Sequence, residues 1–437
     1  MSDEKAHNAR YDDENPVERV ASDTVVEDVP AGPSDKPPDG GYGWVCIFAC
    51  FLINGSTWGI CATYGVYLNY YLENNVFSGS NDIDYAFVGG SNFAAALVTA
   101  PAVNWLLRRL GTHPVMFLGC FFWVIGWITA SFAYTFWQLV LSQGVCIGIG
   151  LGMIWQPSTG IVSQWFQKKR SMAQGFTSAG SGFIGIIYSV STIHMIDNLG
   201  LPWALRITGL TSFVMLIVAT VLIRDRNKVV RPTIHPFDVV ILKKYEVWMV
   251  LGWSFTSLLG YMVLLYSLGN YGSSLGLNQQ QSGIIITMLN LGTGIGRMFI
   301  GVISDKFGRI TTSGLCCFGS GIFCFVWWIN ARDFGSLLAF ALVAGMIFGV
   351  YWATIAPISA EVVELKDLPS LLSLVWLVDV LPTLFSEAVA LELRKPSSNR
   401  PYLYPQIYSA LCYLVAGMFL LELRRTKWGL LTRERNR

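Results

Sequence analysis

The chain begins polar and then turns apolar for almost its whole length. Its first 38 residues hold ten acidic and four basic side chains, and Pro30, Pro33, Pro37 and Pro38 close the stretch. So little apolar area cannot offset the entropy of ordering, and a disordered acidic tail is expected over 1–38. From Asp39 onward, long apolar runs alternate with short polar breaks. A helix crossing hydrocarbon about 30 Å thick needs about 20 mostly apolar residues. Twelve stretches meet that demand: 43–72, 85–107, 114–132, 136–163, 171–195, 203–223, 246–270, 280–304, 311–329, 334–361, 368–392 and 404–424. The longest polar break, 224–245, divides them six and six. The pattern predicts an all-α membrane protein of twelve transmembrane helices. They should form one six-helix bundle over 39–223 and a second over 246–425, joined by a cytosolic linker at 224–245 and followed by a basic tail at 426–437.

Composition agrees with lipid as the solvent. Charged residues make up 13% of the 437 residues and hydrophobic ones 53%, whereas a soluble domain carries about 25% charged residues to keep its surface wet. The net charge of +2, with no basic cluster interleaved with aromatics, argues against nucleic acid. All nine cysteines lie in apolar stretches and read as small core residues rather than disulfide or zinc ligands. The polar, acidic start does not resemble a secretory leader.

Basic residues set the orientation, since cytosolic loops collect Lys and Arg. With the N-terminus in the cytosol, the inner side holds twenty: Arg108, Arg109, Lys168, Lys169, Arg170, Arg224, Arg226, Lys228, Arg231, Lys243, Lys244, Lys306, Arg309, Lys366 and six in the C-terminal tail. The outer side holds five, namely Arg206, Arg332, Arg394, Lys395 and Arg400. Both termini are therefore expected in the cytosol.

Small residues recur where helices must approach closely. Gly144, Gly148 and Gly152 form one stripe, Gly175, Ala179, Gly180, Gly182 and Gly185 another, and Gly292, Gly294, Gly296 and Gly301 a third. Such stripes allow backbone contact in lipid. Asp379 sits in mid-span one turn before Pro382, which loosens the helix. A buried Asp must be paired, protonated or facing water, so Asp379 is a candidate for proton coupling. Glu361 and Glu364 end the tenth span and should bridge to basic loops, and His194 should lie at the outer interface. Trp58, Tyr64, Tyr67, Trp155 and Trp352 are candidates for an aromatic cavity wall.

Gly301-x-x-x-Asp305-Lys306-x-Gly308-Arg309, closing the eighth span, resembles the loop signature of the major facilitator superfamily. The copy after the second span, Asn104 to Gly111, lacks the acid. Asp39-Gly40-Gly41-Tyr42-Gly43-Trp44 resembles the first signature of the monocarboxylate transporter family. Trp165-Phe166-x-Lys168-Lys169-Arg170, with Gln156-Pro157 upstream, is similar to its second region. The resemblance covers 39 to about 425. It implies the major facilitator fold, and gating or folding roles for Asp39, Gly40, Gly41, Trp44, Lys168, Arg170, Asp305 and Arg309. Of the family's proton and anion residues, it carries over only Arg297. The Lys position is Ala62 here and the Asp position is Thr293. An intramembrane Arg is costly and faces a cavity, a partner or a substrate. Arg297 shares its helical phase with Asn290 and Thr293, and these three with Gln156 and Asp379 are the substrate and coupling candidates.

The resulting reading is a secondary active transporter of a small organic solute, working by alternating access and driven by a gradient, with the proton one candidate for the coupling ion, which the sequence leaves open. The solute is a monocarboxylate-like anion or a carboxylate-bearing or aromatic metabolite. Proton–lactate symport is not expected without the Lys and the Asp. Efflux of a secondary metabolite and uptake of a vitamin or nutrient such as riboflavin are both open. The plasma membrane is the first expected location and the vacuolar membrane the second. No cofactor, metal or nucleotide site is expected, for no Walker motif is present. A membrane enzyme or sensor is the alternative class, but the four histidines, His7, His113, His194 and His235, are scattered.

Overall fold

The computed structural model describes residues 37–74, 76–77, 82–230, 240–395, 398 and 400–435. The expected acidic tail falls outside these residues up to Lys36, as do positions 231–239 of the linker.

Every regular element among the described residues is helical. In chain order we number α1 Gly43–Leu68, α2 Asp82–Val98, α3 Ala100–Leu110, α4 Thr112–Ala130, α5 Phe136–Trp165, α6 Arg170–Leu199 and α7 Leu201–Leu222. There follow α8 Tyr245–Ser274, α9 Gln280–Phe307, α10 Arg309–Asn330, α11 Phe334–Val362, α12 Leu368–Leu393 and α13 Leu403–Lys427. Eleven of these are long and apolar enough to cross a membrane. The stretch read as the second span is instead two shorter helices, α2 and α3. They part at Thr99, and Pro101, which has no N–H to give, sits in the first turn of α3. The last helix does not stop near 425, for its backbone stays helical to Arg435.

Tight turns join the helices. Gly111 and Gly308 adopt φ values of 82° and 96°, a left-handed conformation that a side chain would strain. They let α3 turn into α4 and α9 into α10 within a residue or two.

The glycine stripes become helix contacts. A Cβ on Gly150 of α5 would lie 2.6 Å from the Trp123 backbone nitrogen of α4. One on Gly148 would lie 2.5 Å from the Asn92 carbonyl of α2, and one on Gly182 of α6 would lie 2.8 Å from Gly294 of α9. Backbones this close maximise dispersion, the main attraction left when the solvent is as apolar as the side chains. Apolar side chains also face outward: along α7, Val214, Val218 and Val221 are 60%, 47% and 62% exposed. Water would penalise that surface; lipid does not.

Candidate functional site

Among the described residues, two unlike ionisable groups, Arg297 and Asp379, lie buried in mid-span without pairing. Arg297 projects from α9 toward α6 and is 6% exposed. Its Nη1 donates to the Ser178 carbonyl at 3.0 Å and to Ser181 Oγ at 2.7 Å, while its Nε has no hydrogen-bond partner. No ion pair to Arg297 occurs among the described residues. The close glycine contacts of α6 on α9 bring Ser178 and Ser181 within reach. Of the residues sharing its helical phase, Thr293 spends its hydroxyl on the Leu289 carbonyl of its own helix at 2.8 Å. The Asn290 carbonyl lies against Gly182. Gln156 stands apart: its Nε2 donates to the Ala96 carbonyl at 2.7 Å, fastening α5 to α2.

Asp379, on α12, is fully buried. Ser254 of α8 donates to one carboxyl oxygen and Tyr351 of α11 to the other. Ser254 and Tyr351 also touch each other at 2.8 Å. Among the described residues, two hydroxyls thus hold this carboxyl and no cation pairs with it.

Between these charges lies a cluster of indoles. Trp58 of α1 stands 5.1 Å from Trp155 of α5 and 5.5 Å from Trp352 of α11, centroid to centroid. Trp376 of α12 lies 4.7 Å from Trp155 and 6.4 Å from Trp352. Ser178 links this cluster to Arg297, since its hydroxyl donates to the Trp352 carbonyl at 3.1 Å. Tyr64 and Tyr67 lie further along α1 and bond elsewhere, Tyr64 to the Tyr85 carbonyl and Tyr67 to Thr208.

The two signature regions, 128 residues apart, touch. Asp39 Oδ1 accepts from the backbone N–H of Gln167 at 2.7 Å and of Lys168 at 2.8 Å, and the Asp39 N–H donates to the Trp165 carbonyl at 3.0 Å. Asp39 thus braces the turn between α5 and α6, with a φ of 52°. Gly40 and Gly41 carry the chain from there into α1, where Trp44 meets Phe166 edge to face at 5.4 Å with Lys169 above its ring. Lys168 is exposed. Arg170 is buried and spent on its own chain, donating from Nε to the Phe166 carbonyl at 3.0 Å.

Beside this brace lies a latch between α9 and α6. Asp305 accepts from the N–H of Ser171 at 3.1 Å and of Met172 at 2.8 Å, capping the free donors at the start of α6. Arg309 joins Asp305, Glu361 and the Gln167 carbonyl at 3.1, 3.1 and 2.7 Å. Lys427 completes the group on Glu361. Glu364, in the exposed turn after α11, pairs with Lys366 at 2.8 Å. The hydrogen bond and charge of that ammonium hold its carboxyl below the usual range. His194 is exposed near the far end of α6.

Sequence reasoning reached Arg297, Asp379 and three of the indoles but missed Ser178, Ser181, Ser254, Tyr351 and Trp376. Ser178 and Ser181 carried a faint signal, two hydroxyls three apart in a glycine-rich helix. The other three carried none.

Comparison with known proteins fits this architecture. A probable transporter of Saccharomyces cerevisiae, MCH2, is 34% identical over 404 residues, 91% of this chain and 85% of the relative. The fujikurins efflux protein of Gibberella fujikuroi is 24% identical over 424 residues, 95% of this chain and 89% of the relative. Among solved structures, the proton:xylose symporter XylE matches with a TM-score of 0.69 at 12% identity, over 89% of this chain and 95% of that one. At that identity the likeness speaks for the fold alone. Relatives named as transporters point to transport rather than catalysis. A family model described as Major Facilitator Superfamily matches residues 44–272 and 250–386, and the chain belongs to that superfamily of multi-pass membrane transporters.

Proposed function

We propose that this chain is a secondary active transporter of a small carboxylate-bearing organic anion, with Arg297 as the charge that the solute meets. The observation that carries the reading is a buried guanidinium with no carboxylate in contact among the described residues. Removing a charge from water costs several kcal/mol unless something pairs with it. A solute carboxylate would supply that pair in the loaded state, and its departure would restore an unfavourable site that favours reloading.

Proton coupling belongs to Asp379 in this reading, supported by its burial and its cation-free shell of hydroxyls. Protonation would neutralise it; deprotonation would call for water, and so for an open cavity. The α2–α3 pair is the twelfth span, and the two six-helix bundles rock about the site between them. The contact of Asp39 with the Gln167–Lys169 turn supports placing the chain with the monocarboxylate-transporter-like carriers. Brace and latch gather the basic residues at one end, which supports a cytosolic placement for that end. A relative named for efflux favours export over uptake.

The test is transport of organic acids by the purified protein in liposomes with an imposed pH gradient. Arg297→Gln should lower the rate about 100-fold, since it removes one partner of a desolvated charge pair. Wild-type kinetics in a folded variant would remove Arg297 from the site and sink the reading.

A further inference from the structure

The indole cluster beside Arg297 has a chemistry of its own. It draws rings from α1, α5, α11 and α12, and Phe93 of α2 adds a fifth at 5.1 Å from Trp58. Trp155 and Trp376 are almost completely buried, at 3% and 1% exposure, and Trp155 donates its N–H to Asn54 at 3.2 Å. These two are packing residues. Trp58 and Trp352 differ, for both keep part of their surface uncovered.

Trp58 differs in two further ways. Its Nε1 is buried without a hydrogen-bond partner, a state shared outside the cluster by Trp127, Trp253 and Trp328, although an indole usually finds an acceptor when buried. It also sits in a widened, π-helical turn at Gly55–Gly59 of α1. Such turns carry a local cost and recur where a side chain is aimed at a ligand. Gly59 seats that turn on Gly185 of α6, where a Cβ would come within 3.0 Å. The carbonyl of Trp352 is meanwhile bonded by Ser178, whose own carbonyl holds Arg297. One residue thus ties the cation to the backbone that carries Trp352.

We infer that the solute carries a flat aromatic ring beside its carboxylate, with the carboxylate on Arg297 and the ring stacked on the open faces of Trp58 and Trp352. An acceptor on or next to that ring would meet the free N–H of Trp58. The inference rests on the anion reading above and narrows it from organic anions to aromatic acids. Stacking selects for π-faces, because a saturated ring of equal size offers neither the quadrupole nor the flat contact.

The test compares matched probes binding to the purified, detergent-solubilised full chain: 2-naphthoate, its saturated analogue decahydro-2-naphthoate, and the uncharged 2-naphthamide. 2-Naphthoate should bind about tenfold more tightly than the saturated acid. Trp58→Leu and Trp352→Leu should erase that preference while leaving decahydro-2-naphthoate binding in place, and Arg297→Gln should weaken both acids. Trp58→Phe keeps a ring without the N–H and should retain the aromatic preference only in part. Equal binding of the two acids to the wild type overturns the aromatic inference and leaves the anion reading standing. Equal binding of 2-naphthamide and 2-naphthoate overturns the anion reading and keeps the ring. Binding of none of the three overturns both.

Discussion

At the scale of single residues, Asp379 is the side chain whose state most constrains the rest. Among the described residues its carboxyl is held by the hydroxyls of Ser254 and Tyr351, which donate to it, and a buried carboxylate held by two neutral donors is poorly compensated. In the coupling proposed above, a proton on Asp379 would relieve that cost, with a hydroxyl rotated to accept in turn, and its release would need water at the site. Asp379→Asn keeps the shape and the hydrogen-bond capacity but has no proton to exchange. Acid uptake by this variant in liposomes should no longer rise with an imposed pH gradient, while exchange of solute at equal pH persists. Retained pH dependence would return Asp379 to a structural role. Tyr351→Phe removes one donor and should weaken coupling less than Asp379→Asn does.

Helices set the distances on which those residues depend. Gly182 of α6 lies against α9 so closely that a Cβ there would stand 2.7 Å from the Asn290 carbonyl and 2.8 Å from Gly294. These obstacles are backbone and cannot rotate aside. Gly182→Ala should therefore push α6 off α9, lengthen the bonds of Ser178 and Ser181 to Arg297, and destabilise by about 1–3 kcal/mol. Thermal unfolding in detergent would read this as a lowered midpoint together with weaker acid binding. Gly319→Ala in α10, where nothing lies within 4 Å, should leave both unchanged. An unaltered Gly182→Ala protein would mean that the α6–α9 contact does not position the site. The same helices show how far sequence carries. Lipid forces long apolar runs and small-residue stripes, so spans and contact faces are legible from spacing alone. The break at Thr99 was not legible, because apolar length hides a local restart of the helix. Nor was the shell of Asp379, whose donors lie 125 and 28 residues away: periodicity tells which face of a helix is inside, not which helix it will meet. Asp39 shows the same limit. It adjoins α1 in sequence, yet the partners of its carboxylate are 128 to 130 residues on.

For the whole molecule, the two halves carry corresponding ties at the basic end, and the ties are unequal. In the second, Asp305 of α9 caps the start of α6 with two backbone N–H bonds and holds Arg309, which reaches Glu361 and Gln167. In the first, where the loop signature lacks its acid, Asn104 of α3 makes one neutral bond, donating to the Pro369 carbonyl of α12 at 3.0 Å. A charge-assisted bond contributes about 1.5–3 kcal/mol and a neutral one about 1 kcal/mol. The carboxylate at a helix start gains further from the helix dipole. In the rocking motion proposed above, opening this end would break both ties, so the Asp305 side should dominate the equilibrium between the closed and open forms. Asp305→Asn should then raise amide hydrogen exchange at 171–172 by about 10-fold or more, because those donors lose their cap and the closed form loses its lead. Asn104→Ala should raise exchange less, mainly around 370–373, since Pro369 has no N–H of its own. Comparable effects from the two variants would mean that the gate is symmetric despite the missing acid, and that the network around Arg309 contributes nothing to keeping this end shut.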